Sequence, residues 1–282
     1  MAQQGNINVN GLSIPVWDMQ STAQQIDDAT QRVATTPGSG PITAGDIGAA
    51  TAPLLHDVTL YVNGTSGSDS NPGTQSEPFK TIQAAVDSLP KNLGDHSVVI
   101  NIRPGVYDED VLIQGFYNGF NLTGNNFNGF NFSSDDSEPV DVRSLLIVNC
   151  AVASFEFYFI NVSGGLSTAF GSVPIGTGIL VEGCPHVVIS NCEINGCARG
   201  GLCGYYYTGG GSSVFLNVCT ISNCTESAIY AQGQNSIYAE SLAGSDNVVG
   251  ITAYYGAVVT TRSNSMTATT AERIYAGFIN KF

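Results

Sequence analysis

Tyrosines beside glycines are the residues of this sequence whose types and spacing best suit ligand binding. Residues 204–211 read GYYYTGGG, and a second tyrosine pair follows later in the chain; the tyrosines are Tyr205, Tyr206, Tyr207, Tyr254 and Tyr255. A tyrosine combines an apolar ring face with a hydroxyl group, and this combination suits a sugar ring. The sequence therefore predicts a glycan-binding surface, with packing against a neighbouring subunit or in the core as the alternatives.

Acidic residues give weaker support to metal or catalytic chemistry. The densest run offers Asp135, Asp136 and Glu138 as weak candidates for a cation site, although a solvated loop is favoured. Residues 178–270 contain only five acids, with no evident pair on neighbouring strands. No catalytic residue, resident metal or cofactor is therefore predicted. Residues 108–110 (DED) are interpreted as an exposed strand edge that is protected by its charge.

Seven cysteines, an odd number, favour reduced thiols that pack as small hydrophobic side chains. Zinc is disfavoured because Cys192 and Cys197 lack the CxxC spacing and His186 stands alone near them. Cys192 is separated from Cys219 by the same number of residues as Cys197 from Cys224. This equal spacing indicates that the two pairs occupy equivalent positions in neighbouring repeats.

Composition and charge exclude several functional classes. Only 11% of the residues are charged and 33 are Gly, which is typical of turn-rich β-structure. The net charge of −14 leaves no positive stripe to replace phosphate counterions, so a nucleic-acid partner is not expected. No apolar run approaches the roughly 18 residues of a membrane-spanning helix, and no membrane span is predicted.

A coil-length repeat occupies the second half of the chain. Ile179, Leu202, Ile229 and Ile251 begin four similar segments and are spaced 23, 27 and 22 residues apart. A repeat of this period indicates a solenoid, in which equivalent residues stack about 4.8 Å apart. The equally spaced cysteines then form short inward ladders, and Asn191 and Asn223 fall at turns where their amides can bond between coils. A β-sandwich is the main rival, but it does not predict this repeat.

A helical lid is predicted just before the repeat. Phe79, Ile82, Val86 and Leu89 lie on one helical face, between Pro78 at the first turn and Pro90 at the end. A β-helix ends in an open apolar coil that needs a cover. The other end, residues 274–282, lacks a helical cap signature and is expected to seal the last coil or to pack against partner subunits.

Three regions are predicted along the chain: an N-terminal anchor segment over 1–35, a linker or neck over 36–58, and a β-helix domain over 59–282. The neck is rich in Gly, Pro, Ala and Thr. Residues 21–33 have the N-cap and apolar spacing of a short helix, which is marginal without packing and is expected to order on a partner or in an oligomer; an unstructured terminus is the alternative. The anchor residues are Ile14, Val16, Trp17, Ile26 and Val33.

Three stretches carry a resemblance to a known family: YVNGTSGSDSNPGT, PFKTIQAAVDSLP and VVINIRPGVYDEDV, in this order. They resemble the opening of pectate-lyase-like right-handed β-helix proteins, especially those of phage tail spikes and fibres and of bacterial surface proteins. PITAGDIGAA in the neck resembles short elements of phage fibre shafts. The resemblance implies an all-β fold, a right-handed parallel β-helix with an N-terminal capping helix, preceded by the helical anchor and the neck. The calcium-binding acids and arginine base of the lyases, and the clustered aspartates of the hydrolases, are not recognisable.

The expected function is that of a structural or adhesive appendage of a bacteriophage particle, either a head fibre or a tail fibre or spike. The N-terminus MAQQGNINVNG has no secretory signal, so the expected location is the virion. The anchor would bind a capsid or tail structural protein, and the β-helix of a homotrimer would contact a host surface polysaccharide. The alternative is a tail-spike depolymerase, a lyase or hydrolase, with an intersubunit site. A bacterial surface protein is a third, disfavoured possibility.

Overall fold

The structure is a computed structural model. It describes the strands at residues 3–9 and 12–17 and the residues 53–282, except for 95, 118–128, 135–137, 153, 172 and 204–210. For both N-terminal strands and for residues 129–131, 134 and 201–203, only the backbone is described. The chain divides into two compact units, Met1–Ala52 and Pro53–Phe282.

The described part of the first unit is a β-hairpin. Strand β1 (Gln3–Val9) pairs antiparallel with β2 (Leu12–Trp17). These strands were not predicted from the sequence, although Asn-Gly between them in the sequence is a strong signal for a two-residue hairpin turn. Of the predicted anchor residues, Ile14, Val16 and Trp17 belong to β2. Ile26, Val33 and the helix predicted over 21–33 lie outside the described residues.

The second unit is a parallel solenoid with three faces. The first face is a nine-stranded parallel sheet. Its strands are β3 (Val58–Val62), β4 (Val98–Ile102), β6 (Gly129–Ser134), β8 (Ser154–Tyr158), β11 (Val187–Ser190), β14 (Ser213–Asn217), β17 (Ser236–Glu240), β19 (Val258–Arg262) and β21 (Phe278–Lys281).

The second and third faces share two long strands, β5 (Gly105–Gln114) and β7 (Val140–Val148). The beginning of β7 pairs with β9 (Ile160–Ser163), and its end pairs with β10 (Ile179–Glu182). The second face continues through β12 (Glu193–Asn195) and β15 (Thr220–Ser222). The third continues through β13 (Arg199–Cys203), β16 (Ser227–Gln232), β18 (Asn247–Tyr254) and β20 (Ala268–Tyr275).

Each coil runs along the three faces in turn, and all strand pairs between coils are parallel in the described part of this unit. Val187, Val214, Ile237 and Val259 stack in successive coils of the first face and point into the buried core. The predicted parallel β-helix is therefore confirmed. The pairing of Ile229 with Ile251 also agrees with the predicted repeat. Leu202 does not, because an irregularity in β13 places Gly201 opposite Ile229.

Cysteines occupy three pairs of stacked core positions. Six are described, all buried and free of disulfide bonds. Cys192 lies against Cys219 and Cys197 beside Cys224, which confirms the predicted ladders. A third pair, Cys150 and Cys184, was not predicted. The amide of Asn223 donates to Asn195 of the preceding coil as predicted (2.8 Å), whereas that of Asn191 contacts its own neighbour Ser190.

Helix α1 (Ile82–Asp87) covers the N-terminal end of the core. It is shorter than predicted, because Thr81 is the N-cap and its hydroxyl accepts a hydrogen bond from the backbone N–H of Ala84. Phe79 precedes the helix and bridges to β3. All four predicted apolar residues, Phe79, Ile82, Val86 and Leu89, are nevertheless buried. The lid therefore buries its predicted residues with a shorter helix.

Residues 108–110 were wrongly interpreted as an exposed strand edge, because two of the three acids are tied to other elements. Glu109 accepts hydrogen bonds from the first N–H groups of α1, at Ile82 and Gln83 (2.9 Å each). Burial raises the pKa of Glu109, and these hydrogen bonds oppose the rise. The Glu109 carboxylate thus joins the lid to β5. The first N–H groups of α1 have no partner within the helix, and they favour an anion at this position. Asp108 alone is largely exposed.

The corners between the faces are formed by single residues with positive φ. At the corner between the first and second faces these are Phe159, Asn191, Val218, Ser241 and Ser263, with φ between 51° and 58°. Equivalent columns stand at the other corners, where Gly, Asn and Asp are frequent. A left-handed residue turns the chain sharply, and few side chains other than those of Gly, Asn and Asp tolerate it well. The backbone of Val218 is therefore strained, because a β-branched residue disfavours this conformation.

A second apolar cluster lies outside the solenoid on the third face. Here residues 164–178, the outer loop between β9 and β10, fold back over the sheet. Leu166 and Val173 of this loop are buried against Leu146 and Leu180 of the sheet. The loop is held by Asp110, which accepts hydrogen bonds from the backbone N–H and the hydroxyl of Ser167. Tyr230 of strand β16 also packs against this cluster.

The C-terminal end of the solenoid consists of β20 and β21. Glu272 stands in register with the inward-facing Ile251, and Lys281 in register with Thr261. The two side chains form an ion pair across the end of the core, beside a cavity of about 230 Å³. Ile274, Phe278 and Phe282 remain exposed. An inward-pointing charge pair at an open end limits further strand addition.

Candidate glycan-binding surface

The predicted tyrosines fall on the third face near its C-terminal end, as far as they are described. Tyr254 is the last residue of β18, and Tyr255 follows it at the corner with φ 50°. Tyr255 is 64% exposed. Tyr205, Tyr206 and Tyr207 lie outside the described residues. The described pair is thus accessible on the outer surface.

Two further tyrosines that the sequence analysis did not single out complete this surface. Tyr275 pairs in register with Tyr254 in the next coil, and Tyr230 lies on the same face one coil before. The ring centroids are 5.4 Å apart between Tyr230 and Tyr254 and 4.5 Å between Tyr254 and Tyr275. We call Tyr230, Tyr254, Tyr255 and Tyr275 the tyrosine surface. Strand register would have revealed the added pair, since both occupy coils adjacent to that of Tyr254.

The tyrosine rings stack mainly on each other, which changes the expected mode of sugar binding. The rings of Tyr254 and Tyr275 are nearly parallel, with an angle of 3° between their planes. At a centroid distance of 4.5 Å no sugar ring fits between them. The accessible groups are therefore ring edges, hydroxyl groups, the ring of Tyr255 and the outer face of Tyr275, which is 52% exposed.

The hydroxyl group of Tyr254 is a hydrogen-bonding group rather than a base. Partial burial raises the pKa of Tyr254, and the neighbouring Tyr275 hydroxyl raises it further. The positive charge of Arg273 acts on the same hydroxyl and lowers its pKa by a smaller amount. Tyr254 therefore stays neutral at physiological pH and can both donate and accept. The Tyr230 hydroxyl donates to the Gln232 side chain at 3.2 Å.

Two arginines flank the stacked rings. The guanidinium of Arg199 lies over the ring of Tyr230, 4.7 Å from its centroid, and forms an ion pair with Glu226. This cation–π contact fixes the first ring of the stack. Arg273 lies at the other end, on β20, in register with Thr252 and two residues before Tyr275. The surface thus combines aromatic edges, hydroxyls and guanidinium groups along successive coils.

The other sequence-predicted site residues do not form a metal site within the described part of the chain. Glu138 is exposed, and Asp135 and Asp136 lie outside the described residues. No group of three or more His, Cys, Asp or Glu is suitably placed among the residues that were described.

The densest polar cluster in the described regions surrounds Arg143, which binds Asp108 and Asp110. Burial alone would raise the pKa of Asp110, but hydrogen bonds from Ser167, Ser144 and Arg143 outweigh it and lower that pKa. Asp110 is thus a saturated acceptor. Its contacts hold the outer loop in place, and they leave it poorly suited to proton transfer.

Comparison with known proteins supports the fold class and leaves the function open. Residues 65–128 match the model of a family described as a protein of unknown function (DUF1565), a family with a parallel β-helix-like fold. The match runs from the loop after β3 through α1, β4 and β5. Neither the curated proteins nor the solved structures include a significant match. Among the described residues, no helix has the length and apolar character needed to cross a membrane.

Proposed function

We propose that this protein is an adhesive appendage of a bacteriophage particle that binds host surface polysaccharide through the tyrosine surface. The observation that carries the proposal is the row of stacked, partly exposed tyrosines on one outer face of a rigid solenoid. The ring centroids of Tyr230, Tyr254 and Tyr275 follow one another at distances of 5.4 and 4.5 Å across three successive coils. Such a row suits a polymer better than a single small sugar.

The placement in a phage particle rests on the N-terminal part of the chain. Residues 1–52 form a unit distinct from the solenoid, as an attachment segment would. The neck and the opening of the solenoid resemble phage fibre sequences, and the proposed assembly is a homotrimer bound to a capsid or tail protein. The genes on either side provide the test. Capsid or portal neighbours would support a head fibre and baseplate neighbours a tail fibre, whereas surface-anchoring or secretion genes would contradict the proposal.

Binding can be tested with the purified chain on an array of bacterial capsular polysaccharides and O-antigens. We expect Tyr255→Ala to weaken binding about fivefold, since it removes the most exposed ring. Tyr238→Ala is the matched control, because Tyr238 is a 37% exposed tyrosine on the first face. Equal effects of the two substitutions, or no binding by the wild-type chain, would refute the proposed surface.

The depolymerase alternative is examined with the same samples. Release of reducing ends or unsaturated uronates from a bound polysaccharide would establish an enzyme. Binding without release supports the adhesive function. Because the proposed alternative site lies between subunits, the assay uses the assembled oligomer, whose stoichiometry light scattering after gel filtration determines.

A further inference from the structure

Arg273 lies beside the tyrosine surface and has no acidic partner in the described structure, although the chain as a whole is strongly acidic. There are 23 acids and 9 bases in the sequence. Arg143, Arg199, Arg262 and Lys281 all form ion pairs with Asp or Glu. Arg273 forms none with any described residue and is exposed beside the stacked tyrosines.

The strand geometry directs Arg273 toward the same side as the tyrosines. Residues alternate between the two sides of a strand, so Arg273 and Tyr275 point outward from β20. Glu272, which precedes Arg273, points inward and pairs with Lys281, so it does not neutralise Arg273. The outward positions of the neighbouring strand β18 are Thr252 and Tyr254. Thr252 is buried and its hydroxyl is hydrogen-bonded to that of Ser227 at 2.9 Å, so the guanidinium stands beside two available hydroxyl groups, those of Tyr254 and Tyr275.

We propose that the polysaccharide bound here is anionic, and that Arg273 binds its acidic group while Tyr254 and Tyr275 bind neighbouring hydroxyls. This inference rests on the proposed glycan-binding function and specifies its ligand class. A guanidinium binds a carboxylate or a phosphate through paired N–H groups, whereas a neutral sugar leaves it unneutralised. The general negative charge of the chain does not prevent this contact, because charges are screened beyond about 8 Å at physiological ionic strength.

The test uses an array that contains neutral, carboxylate-bearing and phosphate-bearing bacterial polysaccharides. We expect every strongly bound polymer to be anionic, and the array separates uronate or sialate polymers from phosphate polymers. Arg273→Gln is expected to weaken their binding about tenfold, as the loss of a charge-assisted contact does. Lys80→Gln is the matched control, since it removes one exposed positive charge beside the lid. It should leave binding unchanged.

A chemical change in the ligand gives an independent measurement when a carboxylate polymer binds. Reduction of its carboxyl groups to alcohols should weaken binding by the wild-type chain about as much as Arg273→Gln weakens binding of the native polymer. The reduced polymer should bind wild type and Arg273→Gln equally. A phosphate polymer is compared in the same way after removal of its phosphate groups.

The outcomes separate this inference from the function on which it rests. Neutral polymers as the main ligands, or equal effects of Arg273→Gln and Lys80→Gln, would overturn the anionic ligand while Tyr255→Ala still weakens binding. Absence of all binding by the wild-type chain would overturn both. Far-UV circular dichroism of each variant establishes that the solenoid is folded.

Discussion

Val218 is expected to lower the stability of the solenoid, and its replacement by Asn should raise it. Val218 has φ 51° at the corner between the first and second faces, where Asn191 and Ser241 occupy the neighbouring coils. A β-branched side chain crowds the backbone in this left-handed conformation. The backbone N–H of Val218 donates to the carbonyl of Glu240 at 3.0 Å, and Asn preserves this bond. The substitution therefore relieves strain without changing the coil pairing.

The magnitude follows from two opposing terms. A left-handed backbone costs an ordinary L-residue about 1–2 kcal/mol, most of which Asn recovers. Val218 is 51% exposed, so its replacement gives up about half of the roughly 1.5 kcal/mol contributed by a fully buried valine. We expect Val218→Asn to stabilise the fold by about 0.5 kcal/mol. Val218→Gly should be nearly neutral, because glycine adds about 0.5–1 kcal/mol of unfolded-chain entropy.

Urea unfolding followed by far-UV circular dichroism measures this change as a shift of the midpoint at constant slope. Tryptophan fluorescence does not report on the solenoid, because the single tryptophan, Trp17, lies in the hairpin. The control is Val248→Asn, since Val248 is 42% exposed on strand β18 and does not have a positive φ. It should destabilise by about 1 kcal/mol, because it loses burial without relieving strain. The reasoning is refuted if both substitutions shift the midpoint in the same direction.

Three further predictions concern the core and the outer loop. Gly200→Ala should lower the free energy of unfolding by about 1–3 kcal/mol, because the added Cβ atom would lie 2.3 Å from Sγ of Cys224. In a Cys224→Ala background this loss should be much smaller, which a double-mutant cycle of urea midpoints measures. Burial raises the pKa of Cys197 to about 12 and that of Cys224 to about 11. At pH 8 neither thiol should therefore react with Ellman's reagent until the chain unfolds. Rapid labelling of either cysteine in the folded chain, located by peptide mass spectrometry, would contradict this. Asp110→Asn should cost about 1.5–3 kcal/mol at pH 7. Folding lowers the pKa of Asp110 below its ordinary value of 3.8. The stability that the Asp110 carboxylate contributes is therefore present above pH 3.8 and is lost as the pH falls through the folded pKa. Below about pH 4, the urea midpoint of Asp110→Asn should depend less on pH than that of the wild-type chain.

The stacking of coils could be predicted from the sequence because a solenoid repeats the same physical requirement at each turn. Inward positions must be apolar in every coil, so Ile229 and Ile251 appear at equal places in their segments and pair in the structure. The prediction failed at Leu202 because an irregularity within β13 shifts the register. An extra residue reverses the side to which the following residues point, but β13 reads RGGLC and contains too few apolar side chains to show that reversal in the sequence.

The tyrosine surface was only partly predictable. An aromatic pair beside a glycine can be recognised in the local sequence, but the stacking of tyrosines from different coils depends on the register of the strands. Tyr254 and Tyr255 stand out as an aromatic pair beside a glycine. Tyr230 and Tyr275 are isolated tyrosines in the sequence, and only the pairing of β16, β18 and β20 brings them to the others. The bond from Glu109 to the lid joins residues far apart in the sequence, and no pattern within residues 108–110 indicates it.

The regular spacing of the coils also determines which tyrosine gives the clearest experiment. Tyr254 lies between Tyr230 and Tyr275, so its removal would open a gap between two ring faces that are now covered. A sugar ring could enter that gap, and Tyr254→Ala would then combine lost contacts with a new one. Tyr255 lies at the corner, 5.8 Å from Tyr254 by ring centroid and tilted by 38°. Its removal leaves the stack closed, so a loss of binding in Tyr255→Ala can be attributed to the ring itself.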